Sequence, residues 1–197
     1  MGIVEKDRMM FHDCVESRST VLTYFQRYCA HHSRFHLSRI AIQLFVIPMA
    51  MLLIAGCTDF EAQERLAESN RQQGEAFLSA NRGKEGIVVR PSGLQYKVLR
   101  QGSGPKPTLS DRVTVHYRGT LIDGTEFDSS YARGEPTTFA VAGVIPGWTE
   151  GLQLMSVGSH YYFFVPSDLA YGYKGAGDDI GPNATLIFEV ELLEING

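Results

Sequence analysis

Residues 113–130 have the sequence Val-Thr-Val-His-Tyr-Arg-Gly-Thr-Leu-Ile-Asp-Gly-Thr-Glu-Phe-Asp-Ser-Ser. Apolar and polar side chains alternate up to Tyr117, which is the two-residue period of a strand with one buried face. An Asp-Gly pair then gives a hairpin signal, because glycine accepts positive φ without a Cβ clash. The returning segment carries Phe127 and Asp128 side by side. The stretch therefore predicts a hairpin that brings an aromatic ring and a carboxylate close to Tyr117, as in the wall of a pocket.

Further segments of strand length surround this hairpin. The predicted strands cover residues 87–89, 94–99, 112–120, 126–129, 137–141, 160–165 and 185–195. One short helix is predicted over residues 147–155, because Trp148, Leu152 and Met155 fall at i, i+4 and i+7 on one face. The 20 glycines suit a turn-rich sheet better than a helical bundle. We predict an α+β fold in which a twisted antiparallel β-sheet, a half-barrel, wraps over one short α-helix and is preceded by a helical stalk.

Composition excludes several classes of function. With 197 residues, 44% of them hydrophobic, the chain can bury one sizeable core and a small appendage. The net charge of −4 and the absence of a basic run exclude nucleic acid as an expected partner. No cysteine lies beyond Cys57, so the predicted sheet contains neither a disulfide nor a thiolate.

Residues 1–36 show no sustained periodicity and predict no domain. Cys29, His31 and His32 lie close together, but the four-ligand spacing of a zinc module is missing, so we expect no metal site. A translation start placed too far upstream would account for this segment.

An apolar run covers residues 40–54 and follows two arginines. It is shorter than the roughly 20 residues that a membrane-spanning helix needs, and it fits the hydrophobic region of a secretory signal. The ending Leu-Ile-Ala-Gly-Cys57 resembles a bacterial lipobox, in which the cysteine becomes the lipid-bearing first residue. We predict a signal peptide at residues 37–56 and lipid attachment at Cys57. An uncleaved membrane anchor is the alternative.

This reading implies a periplasm-facing lipoprotein of the bacterial cell envelope, held at the membrane through its lipid. Thr58 stands where an aspartate would favour the inner membrane, so the outer membrane is preferred.

Residues 57–85 are predicted to form a helical linker, because residues 59–82 are rich in Glu, Gln, Arg and Ala. Their large apolar side chains are too sparse for a heptad seam, which favours a solvated helix or spacer over a coiled coil. Such a helix would reach roughly 30 Å and hold the following domain away from the membrane. Gly83 and Gly86 end it.

The sequence from residue 86 onward lacks the groups of hydrolysis, redox chemistry or phosphoryl transfer, and we expect no cofactor. His116 alternates onto the polar face of its strand and is interpreted as a surface residue. Aromatic side chains are the conspicuous feature, and singly each is more often a core residue than a site residue. The polar tips of Asp128 and Tyr171 at an apolar cup favour a binding cavity over packing alone.

Four motifs follow one another in the predicted sheet domain. They are Val-His-Tyr117-x-Gly-x-Leu-x-Asp-Gly-x-x-Phe-Asp128-Ser-Ser, Val144-Ile-Pro-Gly-Trp-x-Glu-Gly-Leu, Pro166-x-Asp-Leu-Ala-Tyr171-Gly and Pro182-x-Ala-Thr-Leu-Ile-Phe188-Glu-Val-Glu-Leu-Leu. In order and spacing they resemble the FK506-binding-protein (FKBP) family of peptidyl-prolyl isomerases, over residues 86–197. Gly74-Glu-Ala-Phe-Leu followed by Pro91-Ser-Gly-Leu-Gln-Tyr-Lys-Val resembles the macrophage-infectivity-potentiator branch. Only the final helix of that branch's dimerisation segment is recognisable, so we expect a monomer.

The resemblance implies a role for each matching residue. Tyr117, Asp128 and Tyr171 are the implied catalytic residues. The implied substrate-binding residues are Phe127, Arg133, Val144, Ile145, Trp148, Ile180 and Phe188. In the family the indole forms the pocket floor, the arginine pairs with the aspartate, and the tyrosine hydroxyl and the isoleucine N–H donate to carbonyls of a bound peptide or macrolide. FK506- and rapamycin-type macrolides are therefore implied ligands. Two positions depart from the family pattern. Thr137 stands where many eukaryotic members have an aromatic residue, and Gly143 stands where the family has an acidic residue before the valine.

The implied activity is rotation of X-Pro bonds in proteins of the envelope. Amide resonance sets a barrier of about 18–20 kcal/mol, and a twisted amide, having lost resonance, is less polar than a planar one. An apolar cavity therefore favours the twisted form without a covalent bond or a metal. The alternative is a non-catalytic peptide-binding module or holdase chaperone that uses the same pocket.

Overall fold

The computed structural model describes the backbone of residues 38–196 and the side chains of residues 60–196. The interpretation of residues 1–36, the signal peptide at 37–56 and Cys57 fall outside the residues whose side chains are described. Backbone contacts separate a compact unit, Thr58–Gly197, which contains all the described strands and every side-chain contact given below. Within residues 60–196, no helix is both long enough and apolar enough to cross a bilayer.

In the described chain one long helix is followed by four consecutive strands, and short helices and 3-10 turns separate the later strands. The strands are β1 (Ile87–Val89), β2 (Gln95–Arg100), β3 (Arg112–Leu121), β4 (Glu126–Ser129), β5 (Thr137–Ala140), β6 (His160–Val165) and β7 (Leu186–Asn196). The helices are α1 (Ser38–Arg82), α2 (Ser130–Arg133) and α3 (Pro146–Leu154), with 3-10 turns at Val141–Gly143, Ser167–Leu169 and Gly172–Lys174. Each predicted strand, and the predicted short helix, differs from its counterpart by at most one residue at either end.

All strands pair antiparallel in one sheet of order β1-β2-β6-β7-β3-β4, with β5 pairing to β3. The alternation of buried and exposed residues in β3 and β7 places Val113, Val115 and Tyr117 in the core beside Phe188 and Val190. The antiparallel α+β fold predicted from the sequence is thereby confirmed.

Helix α3 lies against the concave face of this sheet. Trp148, Leu152 and Met155 are all nearly or fully buried, as their helical spacing predicts. Gly151 lets the helix approach closely, since an added Cβ there would lie 2.7 Å from the ring of Phe163. The backbone of the helix therefore packs directly on the Phe163 ring of the sheet at this point.

The described part of α1 is helical as predicted, but it is not solvated on every side. Ala67 and Asn81 are 2% and 1% exposed, and the amide of Asn81 donates to Gln95 Oε1 at 3.0 Å. A Cβ on Gly74 would fall 2.2 Å from the hydroxyl of Thr185. The prediction of a solvated spacer is thus wrong for the face that carries these residues, because that face packs on the sheet and on the chain before β7.

Candidate active site

A cavity of about 300 Å³ opens on the concave side of the sheet, next to the start of α3. Its lining residues are Tyr117, Phe127, Asp128, Phe139, Gly143, Val144, Ile145, Trp148, Tyr171 and Phe188. They come from β3, β4, β5, β7, α3 and two connecting segments. The fold thus brings together residues that the sequence motifs place far apart along the chain.

Trp148 forms the floor of the cavity and is 4% exposed. The rings of Tyr117 and Phe188 lie edge-on to the indole, each with its centroid 5.3 Å away, and Phe139 lies at 5.6 Å. Pro146 at the start of α3 fixes the backbone angle with which the helix begins, which orients the indole two residues later. Among the described residues, the indole N–H has no hydrogen-bond partner. The floor is therefore aromatic and carries one unpaired polar group, the indole N–H.

A hydrogen-bonded group of three side chains closes one side of the mouth. The Tyr117 hydroxyl donates to one carboxylate oxygen of Asp128, and a guanidinium nitrogen of Arg133 donates to the other. The second guanidinium nitrogen of Arg133 donates to the Tyr117 hydroxyl at 2.9 Å. The guanidinium carbon lies 5.5 Å from the centre of the Tyr117 ring.

The one-turn helix α2 places Arg133 in this group. The Ser129 hydroxyl caps the helix by accepting from Ala132 N at 3.2 Å, and Gly134 ends it with φ of +79°. Since α2 follows Asp128 directly, this single turn folds the arginine back over the carboxylate. Arg133 does not line the cavity, so its role there is exerted through Asp128 and Tyr117.

Opposing effects set the pKa values of this group. Burial by itself would raise the pKa of Asp128, but the hydrogen bonds from Tyr117 and Arg133 outweigh it and hold the pKa below its ordinary value. Burial, and then the bond to Asp128, raise the pKa of Tyr117. At neutral pH the site therefore contains a carboxylate that accepts and a phenol that donates.

Ser130, fully buried, holds the backbone of this wall. Its hydroxyl accepts from the Tyr117 N–H at 2.8 Å and lies 2.9 Å from Nδ1 of His116. The His116 ring stacks on Tyr131 at 4.7 Å. His116 thus lies on the partly exposed face of β3, where Ser130 and Tyr131 hold its ring in place.

Tyr171 stands on the opposite side of the mouth and is 41% exposed. Within residues 60–196 its hydroxyl has no hydrogen-bond partner, so it is available to a ligand. Val144 and Ile145 line the cavity between the 3-10 turn Val141–Gly143 and α3, as the motifs imply.

Two implied substrate-binding residues, Arg133 and Ile180, do not line the cavity, and two lining residues were missed. Ile180 is 7% exposed, exchanges backbone hydrogen bonds with Ala176 and packs in the core instead of lining the cavity. Phe139 and Gly143 do line it. Phe139 lies within a correctly predicted strand, and its aromatic ring is the feature of the sequence that could have identified it as a lining residue. The hydroxyl of Thr137 accepts a hydrogen bond from Arg133 at 3.2 Å.

Among the described residues, no group of three His, Cys, Asp or Glu side chains is arranged to hold a metal ion. What the cavity offers is an apolar, aromatic interior with a carboxylate at one side of its mouth and a phenol at the other. Such a site can enclose a compact apolar ring and hydrogen-bond the polar backbone on either side of it.

Comparison with known families matches two parts of the chain. Residues 104–193 match the model of the FKBP-type peptidyl-prolyl cis-trans isomerase, and residues 51–98 match that of the domain amino terminal to FKBP-type peptidyl-prolyl isomerase. The outer membrane protein MIP of Legionella longbeachae is 60% identical over 129 residues, which are 66% of this chain and 55% of that protein. The FKBP-type 22 kDa peptidyl-prolyl cis-trans isomerase of Escherichia coli is 50% identical over 155 residues, 79% of this chain and 75% of that protein.

Solved structures give the same picture. The crystal structure of FkpA from Escherichia coli superposes with a TM-score of 0.74 at 34% identity, covering 98% of this chain and 92% of that one. A peptidyl-prolyl cis-trans isomerase from Pseudomonas syringae has a TM-score of 0.63 at 38% identity, covering 66% of this chain and 96% of that one. The matched segments span about half the length of several curated relatives, 55%, 47% and 48% for three of them.

Proposed function

This chain belongs to the FKBP-type peptidyl-prolyl cis-trans isomerase family, in the branch of the macrophage infectivity potentiator, and on that premise we propose that it catalyses rotation of X-Pro bonds. The observation that carries the proposal is the cavity itself, an indole floor enclosed by edge-on aromatic rings with Asp128 and Tyr171 at its mouth. The substrates are proline-containing polypeptides.

The cavity acts by favouring the twisted amide over the planar one. Resonance makes a planar X-Pro amide more polar than a twisted one, so water stabilises the planar form more strongly. The planar form loses this extra hydration when the cavity excludes water. The apolar proline ring fits against Trp148, while the Tyr171 hydroxyl donates to a flanking carbonyl and Asp128 accepts from a peptide N–H. Each tenfold gain in rate needs only about 1.4 kcal/mol of preference for the twisted form. No covalent intermediate is required.

The polar group around Asp128 also fixes the direction in which the substrate lies. Since Tyr117 and Arg133 already occupy both carboxylate oxygens, Asp128 cannot turn to follow a moving substrate. A carboxylate held in one orientation stabilises one arrangement of the peptide backbone without first reorganising.

A protease-coupled assay on a short X-Pro peptide, with the full chain, tests this function. We expect the unaltered protein to accelerate isomerisation and both Asp128→Ala and Tyr171→Phe to lower kcat/KM. The matched control is Tyr162→Phe, which removes a hydroxyl bonded at 3.1 Å to Glu189 on the other face of the sheet. Peptide binding without any acceleration would overturn the proposal in favour of a binding module or holdase chaperone.

Trp148 provides the binding measurement, because it is the only tryptophan of the chain. Its fluorescence should change when a proline peptide, or an FK506- or rapamycin-type macrolide, enters the cavity. Light scattering on the same sample tests the expected monomer.

For localisation we propose a lipoprotein of the bacterial envelope that faces the periplasm, with the outer membrane favoured. The lipobox-like sequence before Cys57 supports this, and the Legionella relative is named an outer membrane protein. Intact mass of the membrane fraction tests it: processing removes residues 1–56 and adds lipid, and Cys57→Ser abolishes both. A mass that includes residues 40–56 would instead identify an uncleaved anchor.

A further inference from the structure

Tyr171 stands at the beginning of a glycine-rich loop. The loop, residues 171–183, connects the 3-10 turn Ser167–Leu169 to the chain before β7. Three of its glycines have left-handed backbone angles: Gly172 at φ +57°, Gly175 at φ +64° and Gly177 at φ +57°. Glycine has more conformational freedom to lose than any other residue, so a loop with this composition stays in one conformation only if other contacts hold it.

Asn183 holds the end of this loop against its beginning. Its backbone N–H donates to the carbonyl of Gly172 at 2.8 Å, directly after Tyr171. Asn183 has φ of +55° and is, among the described residues, the one non-glycine with positive φ. Asparagine is the side-chain type that tolerates this region best. The conformation of Asn183 is therefore tied to that of the Tyr171 backbone.

Side chains of the loop and of α1 hold each other across a long sequence separation. The Asn183 amide donates to the Ala67 carbonyl of α1 at 3.3 Å. In the other direction, the Asn70 amide of α1 donates to the Pro182 carbonyl at 2.8 Å. The Tyr173 hydroxyl donates to Glu64 at 2.7 Å.

We infer that Asn183 and Asn70 are positioning residues for Tyr171. Through their side-chain amides, helix α1 determines where the Tyr171 hydroxyl lies at the mouth of the cavity. The inference rests on the proposed function, in which Tyr171 contacts the substrate. A short series of contacts connects α1 to Tyr171. Helix α1 packs on the sheet through Ala67 and its neighbours, the Asn183 side chain bonds to α1, and the Asn183 N–H bonds to Gly172, the residue after Tyr171. Without the two amides, Tyr171 keeps its side chain but samples more positions at the mouth.

Kinetics of two variants and one matched control test this. Asn70→Ala removes one amide, and Asn183→Gly removes the other while keeping a residue suited to positive φ. We expect kcat/KM on the X-Pro peptide to fall about three- to tenfold in each, mostly through kcat, as for loss of one neutral hydrogen bond. Gln73→Ala is the control, since its amide bonds to Ser69 on the exposed face of the same helix. We expect no change there.

A purely structural role is separated by repeating both changes in a Tyr171→Phe background. If the amides act through the hydroxyl, removing them from the Tyr171→Phe protein lowers kcat/KM no further, because the effects of residues that act together are not additive. Hydrogen exchange of the loop backbone amides should accelerate in both variants, while the amides of β3 and β7 stay protected. The largest acceleration is expected at the Asn183 N–H of the Asn70→Ala protein. Equal losses with and without the hydroxyl, or faster exchange with unchanged kcat/KM, would overturn the inference.

The two proposals fail in different ways. If the unaltered chain has no turnover, the proposed function fails, and the inference is then judged on affinity for the same peptide by Trp148 fluorescence. Weaker binding in Asn70→Ala that depends on the Tyr171 hydroxyl would support the inference. Unchanged binding would overturn it.

Discussion

The two sides of the cavity mouth are supported differently. Asp128 sits on β4, and both of its oxygens accept hydrogen bonds from side chains of the same sheet region. Tyr171 sits on a glycine-rich loop whose ties reach α1, and one of those bonds joins residues 112 positions apart. A polar group held by its own sheet is coupled to folding stability, whereas one held from a distance can be altered with little effect on the fold. We therefore expect the largest loss of stability at the floor that both sides share and the smallest at the loop.

Trp148 is common to both sides, so its removal should have the largest effect. Trp148→Ala replaces a buried indole that three rings contact edge-on, and we expect the free energy of unfolding to fall by about 3–5 kcal/mol. Urea denaturation followed by circular dichroism measures this without the lost fluorophore. Phe60→Ala is the control, because Phe60 is 52% exposed and its loss should cost little. Equal effects of the two changes would contradict the placement of the indole as the floor.

Asp128→Ala should affect stability and the proposed activity together. It leaves Tyr117 and Arg133 without their acceptor, and we expect a loss of about 1 kcal/mol, a modest value because the pair is partly exposed. We expect kcat/KM to fall about tenfold or more. Glu191→Ala, which removes an ion pair with Arg100 on the outer face, should leave kcat/KM unchanged. Loss of activity with no loss of stability would place the Asp128 side in the same class as the loop.

The same carboxylate should give a characteristic pH dependence. Burial alone would raise the pKa of Asp128, but the hydrogen bonds from Tyr117 and Arg133 hold it below its ordinary value. Its stabilising contribution is therefore complete above the unfolded-state pKa of about 4 and is lost as pH falls through the folded-state value. Urea midpoints of the unaltered chain and of Asp128→Asn should differ most at neutral pH and converge in acid. A constant gap would contradict this.

Tyr171→Phe should have the smallest effect on the fold. Its hydroxyl has no partner among the described residues, so the free energy of unfolding should change by no more than about 0.5 kcal/mol. The proposed activity should fall about three- to tenfold, as for one lost neutral hydrogen bond to substrate. Denaturation and the coupled assay on one protein sample check both values. A loss of stability as large as that of Asp128→Ala would remove the contrast between the two sides.

The sheet and most of the cavity could be predicted because they leave periodic or motif-like signals. Strand alternation identified the buried face of β3 and β7, and four ordered motifs supplied the lining from Tyr117 to Phe188. Phe139 was missed as a site residue because only the register of β5 on β3, opposite Val113, turns its ring toward Trp148. Sequence alone gives the strand but not that register.

The docking of α1 was missed for a different reason. Its docked face carries mainly small and amide-bearing residues at helical spacing, among them Ala67, Asn70, Gly74 and Asn81. Phe77 lies on the same face, with its ring 6.0 Å from that of Phe164, but one large ring does not make a heptad seam, and the contact depends mainly on close approach and on hydrogen bonds. Ile180 shows the reverse: an apolar residue beside the site motif was assigned to the cavity, but the turn of the loop buries it in the core.

The sheet order has a consequence for how the protein is made. Strand β7 follows every other strand in the chain yet lies between β6 and β3. A ribosome that has released only the first six strands has released two separate groups, each with an open edge of unpaired backbone groups. Such edges recruit other chains and promote aggregation. Pairing of β7 with β6 on one side and β3 on the other closes these edges, so the last strand of the chain is the one that completes the sheet.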